Sequence, residues 1–451
     1  MNPIRSEPIY EIKEVALVKG TMSPPRGRLL KLTAAVAVVV AVALTAGVGV
    51  TDAKTQATVT LKFMGQSTGQ GGNQQMSAVI ANFEKANPNI KVEQEYLPIG
   101  TTYANALRTR LQSGNAPDVF YVTAGSGGLQ SVLPLARAGF VADLAKRPWA
   151  KRVPVNAKAL YYIGNKLYAV PIQLVPVGVM YQPNVYSQLG IRVPTTMAQL
   201  LTACRTAKSK GKPGLINIAG ASVQNAGLFA TVIAASQVLS QDPTWSDKRA
   251  AGRVTFAGTA GWRRTLQRIL DMKAAGCFPP GVEALDNVPA TGQFVSGNVP
   301  SWVLPSSIIG LMKGINPNIQ INFYPFPGET AAATRVNASP TDAIAVYSRT
   351  DKRDAALRFA DFWAREGQSR FYASLTGAIS ITQANTGAKL RPELSGLSAL
   401  LKSKTKVHPL INLDWKNPEV INLLGQGVQG LLTGQRTPDQ ILRAMDGAWQ
   451  N

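Results

Sequence analysis

Thr58-Val59-Thr60-Leu61-Lys62-Phe63 begins the stretch whose reading decides the fold. Alternation places Val59, Leu61 and Phe63 on one face of a strand. A loop follows, Gly65-Gln66-Ser67-Thr68-Gly69-Gln70-Gly71-Gly72, after which Met76, Val79, Ile80 and Phe83 recur at helical spacing until Asn87-Pro88-Asn89 stops the run. The pattern then predicts a second strand over Ile90 to Tyr96 and a helix with Tyr103, Leu107 and Leu111 on one face. Past the turn Ser113-Gly114-Asn115-Ala116-Pro117 it predicts a third strand at Asp118-Val119-Phe120-Tyr121-Val122. Strand, helix, strand, helix, strand is the order that builds a parallel sheet, so this part of the chain is α/β.

Upstream, Leu32 to Thr51 is an uncharged run of Ala and Val with a little Leu, Gly and Thr. At about 1.5 Å per residue its twenty residues just cross a hydrocarbon core of about 30 Å. Arg26, Arg28 and Lys31 precede it, and the small residues of Thr51-Asp52-Ala53 and Thr55-Gln56-Ala57 follow. The segment reads as a secretory signal; an uncleaved membrane anchor is the other reading. The charged stretch before Met22 makes Met22 a candidate start. Residues 1–57 are therefore excluded from the fold, and the remainder is placed outside the cytoplasm. Leu44-Thr45-Ala46-Gly47 is followed by Val48, not by the cysteine that lipid attachment requires.

Downstream of about residue 195 the pattern becomes more helical. Apolar residues recur at helical spacing in Thr196 to Lys210, Gly227 to Leu239, Thr259 to Ala275, Val288 to Ser296 and Asp351 to Glu366. A C-terminal pair follows, Pro418 to Thr433 and Pro438 to Trp449. Strand-like pieces interrupt them at Leu215 to Ile218, Val299 to Leu304 and Ile319 to Tyr324. No fixed-period repeat is visible, which excludes a solenoid.

The 451 residues are 45% apolar and 16% charged, enough for two full cores and unlike a disordered chain. The net charge is +22, and about +19 remains without residues 1–57. Such a balance raises nucleic acid or an anionic surface as a partner. The basic residues are dispersed, as in Arg263, Arg264, Arg268 and Lys273 or Arg349, Lys352 and Arg353, without the clustered aromatics that single strands need, so no nucleic-acid partner is expected. Two cysteines and the single His408 exclude a structural zinc site, and neither a metal nor a cofactor is expected.

Several motifs resemble the extracellular solute-binding proteins of carbohydrate ABC importers, the family that includes maltose-binding protein. In order they are Phe83-Glu84-Lys85-Ala86-Asn87-Pro88-Asn89-Ile90-Lys91-Val92, Ser113-Gly114-Asn115-Ala116-Pro117-Asp118-Val119, Gly164-Asn165-Lys166-Leu167-Tyr168-Ala169-Val170-Pro171 and Leu189-Gly190-Ile191-Arg192-Val193-Pro194-Thr195-Thr196. Phe294-Val295-Ser296-Gly297-Asn298, Phe326-Pro327-Gly328, Ala355-Ala356-Leu357-Arg358-Phe359-Ala360-Asp361-Phe362 and Thr376-Gly377 continue the series. Each alone is an ordinary turn or helix face; their order along the chain carries the likeness. The resemblance implies an α/β, periplasmic-binding-protein-like bilobed fold, with residues 58–172 and 346–380 in an N-lobe and 173–345 and 381–451 in a C-lobe. It implies a monomer without enzymatic activity, in the periplasm or on the outer face of the cytoplasmic membrane. Such a protein closes on a mono- to oligosaccharide and delivers it to the membrane subunits of an ABC permease.

A sugar needs paired donors and acceptors for its hydroxyls and an aromatic face for its C–H groups. Loops at the C-terminal ends of parallel strands bring such groups together. They offer Gln66 and Ser67 after the first strand, and Tyr121, Thr123 and Ser126 at the third. By the same resemblance Gln173 stands at a ligand-contacting position of the first crossover, and Asn225 and Phe229 begin a cleft-facing helix. Trp302 precedes the usual ring position, which Ser306 and Ser307 occupy, and Asp342 and Trp415 complete the set. Each also has a structural reading as a turn, helix start or core residue. Cys204 and Cys277 fall in one lobe of an exported chain, which points to a disulfide, with two buried thiols as the alternative. An exported glycan-binding or adhesion protein and a glycoside hydrolase are the rival functions, although no pair of carboxylates stands on adjacent strand ends.

Overall fold

The computed structural model describes residues 57–67, 72–153, 157–382, 390–403 and 405–450. The export segment and the residues that would carry a lipid lie outside them. Among the described residues no helix is long and apolar enough to cross a membrane.

Val59–Ser67 pairs in parallel with Ile90–Pro98 along its whole length, from Val59↔Ile90 to Ser67↔Pro98, and on its other side with Val119–Thr123. Asp342–Val346 lies antiparallel beyond the latter, and Val170–Pro171 closes the edge of this five-stranded sheet. Val119, Phe120, Tyr121 and Val122 are all buried, the continuous apolar run of a strand covered on both faces. The covering helices obey their end signals. Asn73 accepts a bond from Met76 N and caps Gln74–Ala86, and Gly114, at φ +77°, ends Thr101–Ser113.

The second sheet is built on Gln173–Tyr181. Ser301–Pro305, Asn322–Tyr324, Val336–Ser339 and Ile379–Ser380 pair antiparallel with it, while Ile216–Asn217 and Val407–His408 extend the sheet in parallel at its two edges. Gly178 is required here, since a Cβ would meet Tyr324 O at 2.7 Å. The return strand of the first sheet, Asp342–Val346, pairs register for register with Val119–Thr123.

Two helices depart from the periodicity. Val223–Ala234 starts four residues before Gly227, since Ser222 caps it through Asn225 N, and it runs on into a π-helical turn at Ala235–Leu239. The expected Asp351 to Glu366 helix is Arg353–Trp363; Arg365 is extended, and a second helix, Glu366–Thr376, begins after it.

Cys204, on Met197–Ser209, and Cys277, just past Ala260–Ala274, form a disulfide with Cα atoms 4.6 Å apart. Trp245, Phe256, Trp262 and Trp415 make a ring cluster with neighbouring centroids 5.2–5.9 Å apart.

Glu393 ties the far side of the second sheet together by accepting bonds from Arg391 and Lys313. Burial pushes its carboxyl up, but these bonds prevail and hold it at about 2. Its folded pKa lies below the unfolded value of 4.5. The stabilisation is therefore complete above that value and disappears as pH falls from 4.5 toward 2. Glu393→Gln is expected to flatten this part of the acid unfolding curve, whose height is roughly 3 kcal/mol. Equal slopes in the two proteins would refute the assignment.

Candidate functional site

Three chain crossings join the two sheets, and they meet at one polar hub. Pro171 leaves the first sheet and Gln173 starts the central strand of the second. Ser339 leaves the second and Asp342 re-enters the first, and the helix ending at Thr376 leads to Ile379–Ser380. Gln173 Nε2 donates to Asp342 Oδ2 at 2.6 Å, its Oε1 accepts from Thr376 Oγ1 at 2.8 Å, and Tyr121 Oη donates to Asp342 Oδ1 at 2.6 Å. One carboxylate and one amide thus link all three crossings. Burial pushes the Asp342 carboxyl up, against the bonds from Tyr121, Gln173 and Thr341, and burial with the nearby Asp342 charge pushes the Tyr121 phenol up as well. Gln173 is fully buried. Gln173→Leu leaves Asp342 Oδ2 without its amide donor and is expected to cost about 1–3 kcal/mol in urea unfolding. A loss below the scatter of the measurement would show that the Gln173–Asp342 bond adds nothing to stability.

Polar residues stand at strand ends and helix starts of both sheets. Gln66 and Ser67 end the first strand, and Gln66 Nε2 is buried with no protein partner. Thr123 ends the third, its hydroxyl 3.3 Å from Ser131 Oγ. Opposite them the helix start at Ser222 presents Gln224, whose amide would lie 3.6 Å from a Cβ on Gly100 of the first sheet's loops. Ser306 and Ser307 follow the strand Ser301–Pro305, and Ser306 Oγ is buried and unpartnered. These groups are hydroxyls and amides, and among the described residues no three His, Cys, Asp or Glu gather to hold a metal.

A direct contact also joins loops from the two sides. Ser126 N and Gly127 N both donate to Leu413 O, at 2.7 and 3.1 Å, and Ser126 Oγ donates to Trp415 O at 2.9 Å. The approach needs glycine on both flanks of Ser126, since Cβ atoms at Gly125 and Gly127 would lie 1.9 and 1.8 Å from Leu413 O and Asn412 O.

Three expected ligand rings belong to the core. Phe229 stacks edge-on with Phe278 and Phe326, each at 5.8 Å. Trp302, on a central strand, is 2% exposed and donates to Asn225 Oδ1 at 3.2 Å. Trp415 is wholly buried in the ring cluster. Aromatic bulk served packing at these positions. Asn225 Oδ1 is also engaged by Ala219 N at 2.9 Å, so it fixes the helix start. Tyr121, Gln173 and Asp342 bond one another in the hub. Sequence reasoning missed Thr376, Gln224 and the Asn412-Leu413 carbonyls; the caps around Ser222 signalled Gln224, while nothing local marks the other two.

Comparison with known proteins agrees with this architecture. The chain is 26% identical over 316 residues to the melibiose/raffinose/stachyose-binding protein MelE of Bacillus subtilis strain 168, an alignment spanning 67% of this chain and 69% of that one. Among solved structures, RafE in complex with raffinose superposes with a TM-score of 0.71 at 19% identity, covering 87% of this chain and 99% of RafE. A chitin oligosaccharide binding protein gives a TM-score of 0.75 at 16% identity over 87% of this chain and 98% of its own. The sequence profile of the bacterial extracellular solute-binding proteins matches residues 67–369, two-thirds of the chain, and this protein belongs to that family.

Proposed function

We propose that the protein is the exported binding component of an ABC importer, taking a neutral oligosaccharide between its two lobes and presenting it to a membrane permease. The observation that carries this reading is the hub. Two sheets connected by three crossings that meet at Gln173, Asp342 and Thr376 can rotate about that point as bodies, and a ligand touching both sides favours closure by its differential affinity for the closed state. On this reading one lobe comprises residues 57–171 and 342–378 and the other the remainder of the described chain. The ligand is held by Gln66, Ser67 and Thr123 from one side and by Gln224, Ser306 and Ser307 from the other. Uncharged donors and acceptors of this kind suit sugar hydroxyls, and the binding partners named for MelE and RafE make α-galactosides the first sugars to try. The chain acts outside the cytoplasmic membrane, either released after signal cleavage or held by its N-terminal apolar segment.

A thermal-shift screen across melibiose, raffinose, stachyose and xylo- and chito-oligosaccharides tests the reading, because a ligand of the folded state raises its stability by mass action. One sugar class is expected to raise the midpoint and to contract the protein in small-angle scattering. Gln66→Ala is expected to weaken that sugar by roughly tenfold, the worth of one or two buried hydrogen bonds. A screen in which sugars do nothing and another solute class stabilises the protein would sink the assignment, as would sugar binding without contraction or release of hydrolysed products.

A further inference from the structure

The charge of this protein is unevenly placed along the chain: between Asp143 and Asp242 there is no acidic residue at all. We propose that the basic outer edge of the first sheet, formed by Lys146, Lys151, Arg152, Lys158 and Lys166, is a docking surface for an anionic phospholipid bilayer.

The backbone gathers these five residues. Leu144 N donates to Leu167 O at 2.7 Å, Tyr162 Oη donates to Ala150 O at 3.3 Å, and Tyr162–Ile163 pairs with Lys166–Leu167 as a hairpin. The segments around 144–152 and 158–167 therefore form one unit beside Val170–Pro171, the edge strand. All five side chains are exposed, and among the described residues none has an acidic partner within ion-pair distance. Arg152 donates only to Ala364 O. The nearby acids are held by other groups, although the Asp143 charge still reaches Tyr162 and adds to burial in pushing its phenol up. Asp143 Oδ1 accepts from Ala145 N and Leu167 N, and Asp361 is engaged by Arg147 and Trp149.

A second basic run, Arg205, Lys208, Lys210 and Lys212, follows from the fold itself. It surrounds the C-terminus of Met197–Ser209, where cations complement the helix dipole, and Lys212 Nζ donates to Gly297 O. No helix end of comparable length accounts for the edge residues. Half-buried Tyr162 and Ile163 stand between Lys158 and Lys166, and a lipid headgroup region accommodates both cations and amphipathic rings, whereas a soluble polyanion needs only the charges.

Co-sedimentation of the full exported chain with phosphatidylcholine vesicles, with and without phosphatidylglycerol, tests this. Binding is expected only to the anionic vesicles, falling at high salt. The variant K146Q/K151Q/K158Q/K166Q is expected to lose at least roughly tenfold in partition coefficient. R192Q/R205Q/K208Q/K210Q, which removes the same charge elsewhere, is expected to lose less than about threefold. Should the first variant lose its cooperative melt, the hairpin pair K158Q/K166Q carries the test with an expected loss of roughly threefold. Equal losses in the two charge-matched variants, binding to neutral vesicles, or binding of a soluble polyphosphate without vesicle binding would each overturn the proposal. Sugar-induced stabilisation measured on the same variants is expected to be unchanged, so that failure of docking and failure of the sugar reading are told apart.

Discussion

Breaking the Cys204–Cys277 disulfide is expected to lower the unfolding free energy by about 4 kcal/mol. The bridge closes a loop with a sequence separation of 73, and chain-entropy arguments assign a loop of that size about 4 kcal/mol of denatured-state restriction. The native side adds no offsetting cost that would hide the effect. Cys277 O accepts from both Leu215 N and Ile216 N, at 2.8 and 2.9 Å, so the segment carrying the sulfur is already held against the edge strand Ile216–Asn217. Both cysteines are fully buried, so reduction requires prior unfolding, and the double variant Cys204→Ala/Cys277→Ala is the practical comparison. Urea midpoints of wild type and variant measure the difference. A gap below about 1 kcal/mol would mean that the denatured chain is already restricted over this loop.

Asp446→Ala is expected to cost about 3–5 kcal/mol, because it strands a buried guanidinium. Arg249, whose side chain is 5% exposed, has Asp446 as its carboxylate partner at 3.0 Å and lies 4.4 Å from the Trp449 ring and 5.1 Å from that of Phe256. The same carboxylate accepts from Phe256 N at 2.8 Å and Ala257 N at 2.9 Å. The two sides of this pair are unequal. Arg249→Met leaves Asp446 with two backbone donors, so it is expected to cost less than Asp446→Ala, about 1–3 kcal/mol. Urea unfolding of both variants checks the order, and Arg249→Met proving the more damaging would reverse the account. The pair clamps Pro438–Gln450 against Trp245–Ala250, so loss of the clamp should also raise amide exchange along the last helix.

The first sheet was legible because its strands and helices are locally consistent. Val59, Leu61 and Phe63 alternate, Met76, Val79, Ile80 and Phe83 recur at helical spacing, and the two helices and the strand between them end on Asn87, Gly114 and Pro98. The central strand of the second sheet was not legible. Gln173-Leu-Val-Pro-Val-Gly-Val-Met-Tyr181 contains a proline and a glycine that read as punctuation, yet Gly178 admits Tyr324 O and Pro176 sits opposite Ala338 without breaking the ladder. The aromatic residues of the site failed for a different reason. A ring that stacks on a sugar and a ring that fills a core have the same hydropathy, and Phe229, Trp302 and Trp415 were claimed by the core. The short polar residues Gln66, Ser67, Thr123 and Ser306 could be read as strand-end residues because topology alone fixes where strands stop.

The interleaving of Asp342–Val346 between Val119–Thr123 and Val170–Pro171 has a temporal consequence. A chain emerging from the ribosome presents four strands of the first sheet early, but the strand that belongs between two of them arrives only after Gln173–Tyr181, Ile216–Asn217, Ser301–Pro305, Asn322–Tyr324 and Val336–Ser339 of the second sheet have been made. Until then the sheet has an open slot between Val119–Thr123 and Val170–Pro171, so its closure waits on a long-range pairing of the kind that forms slowly.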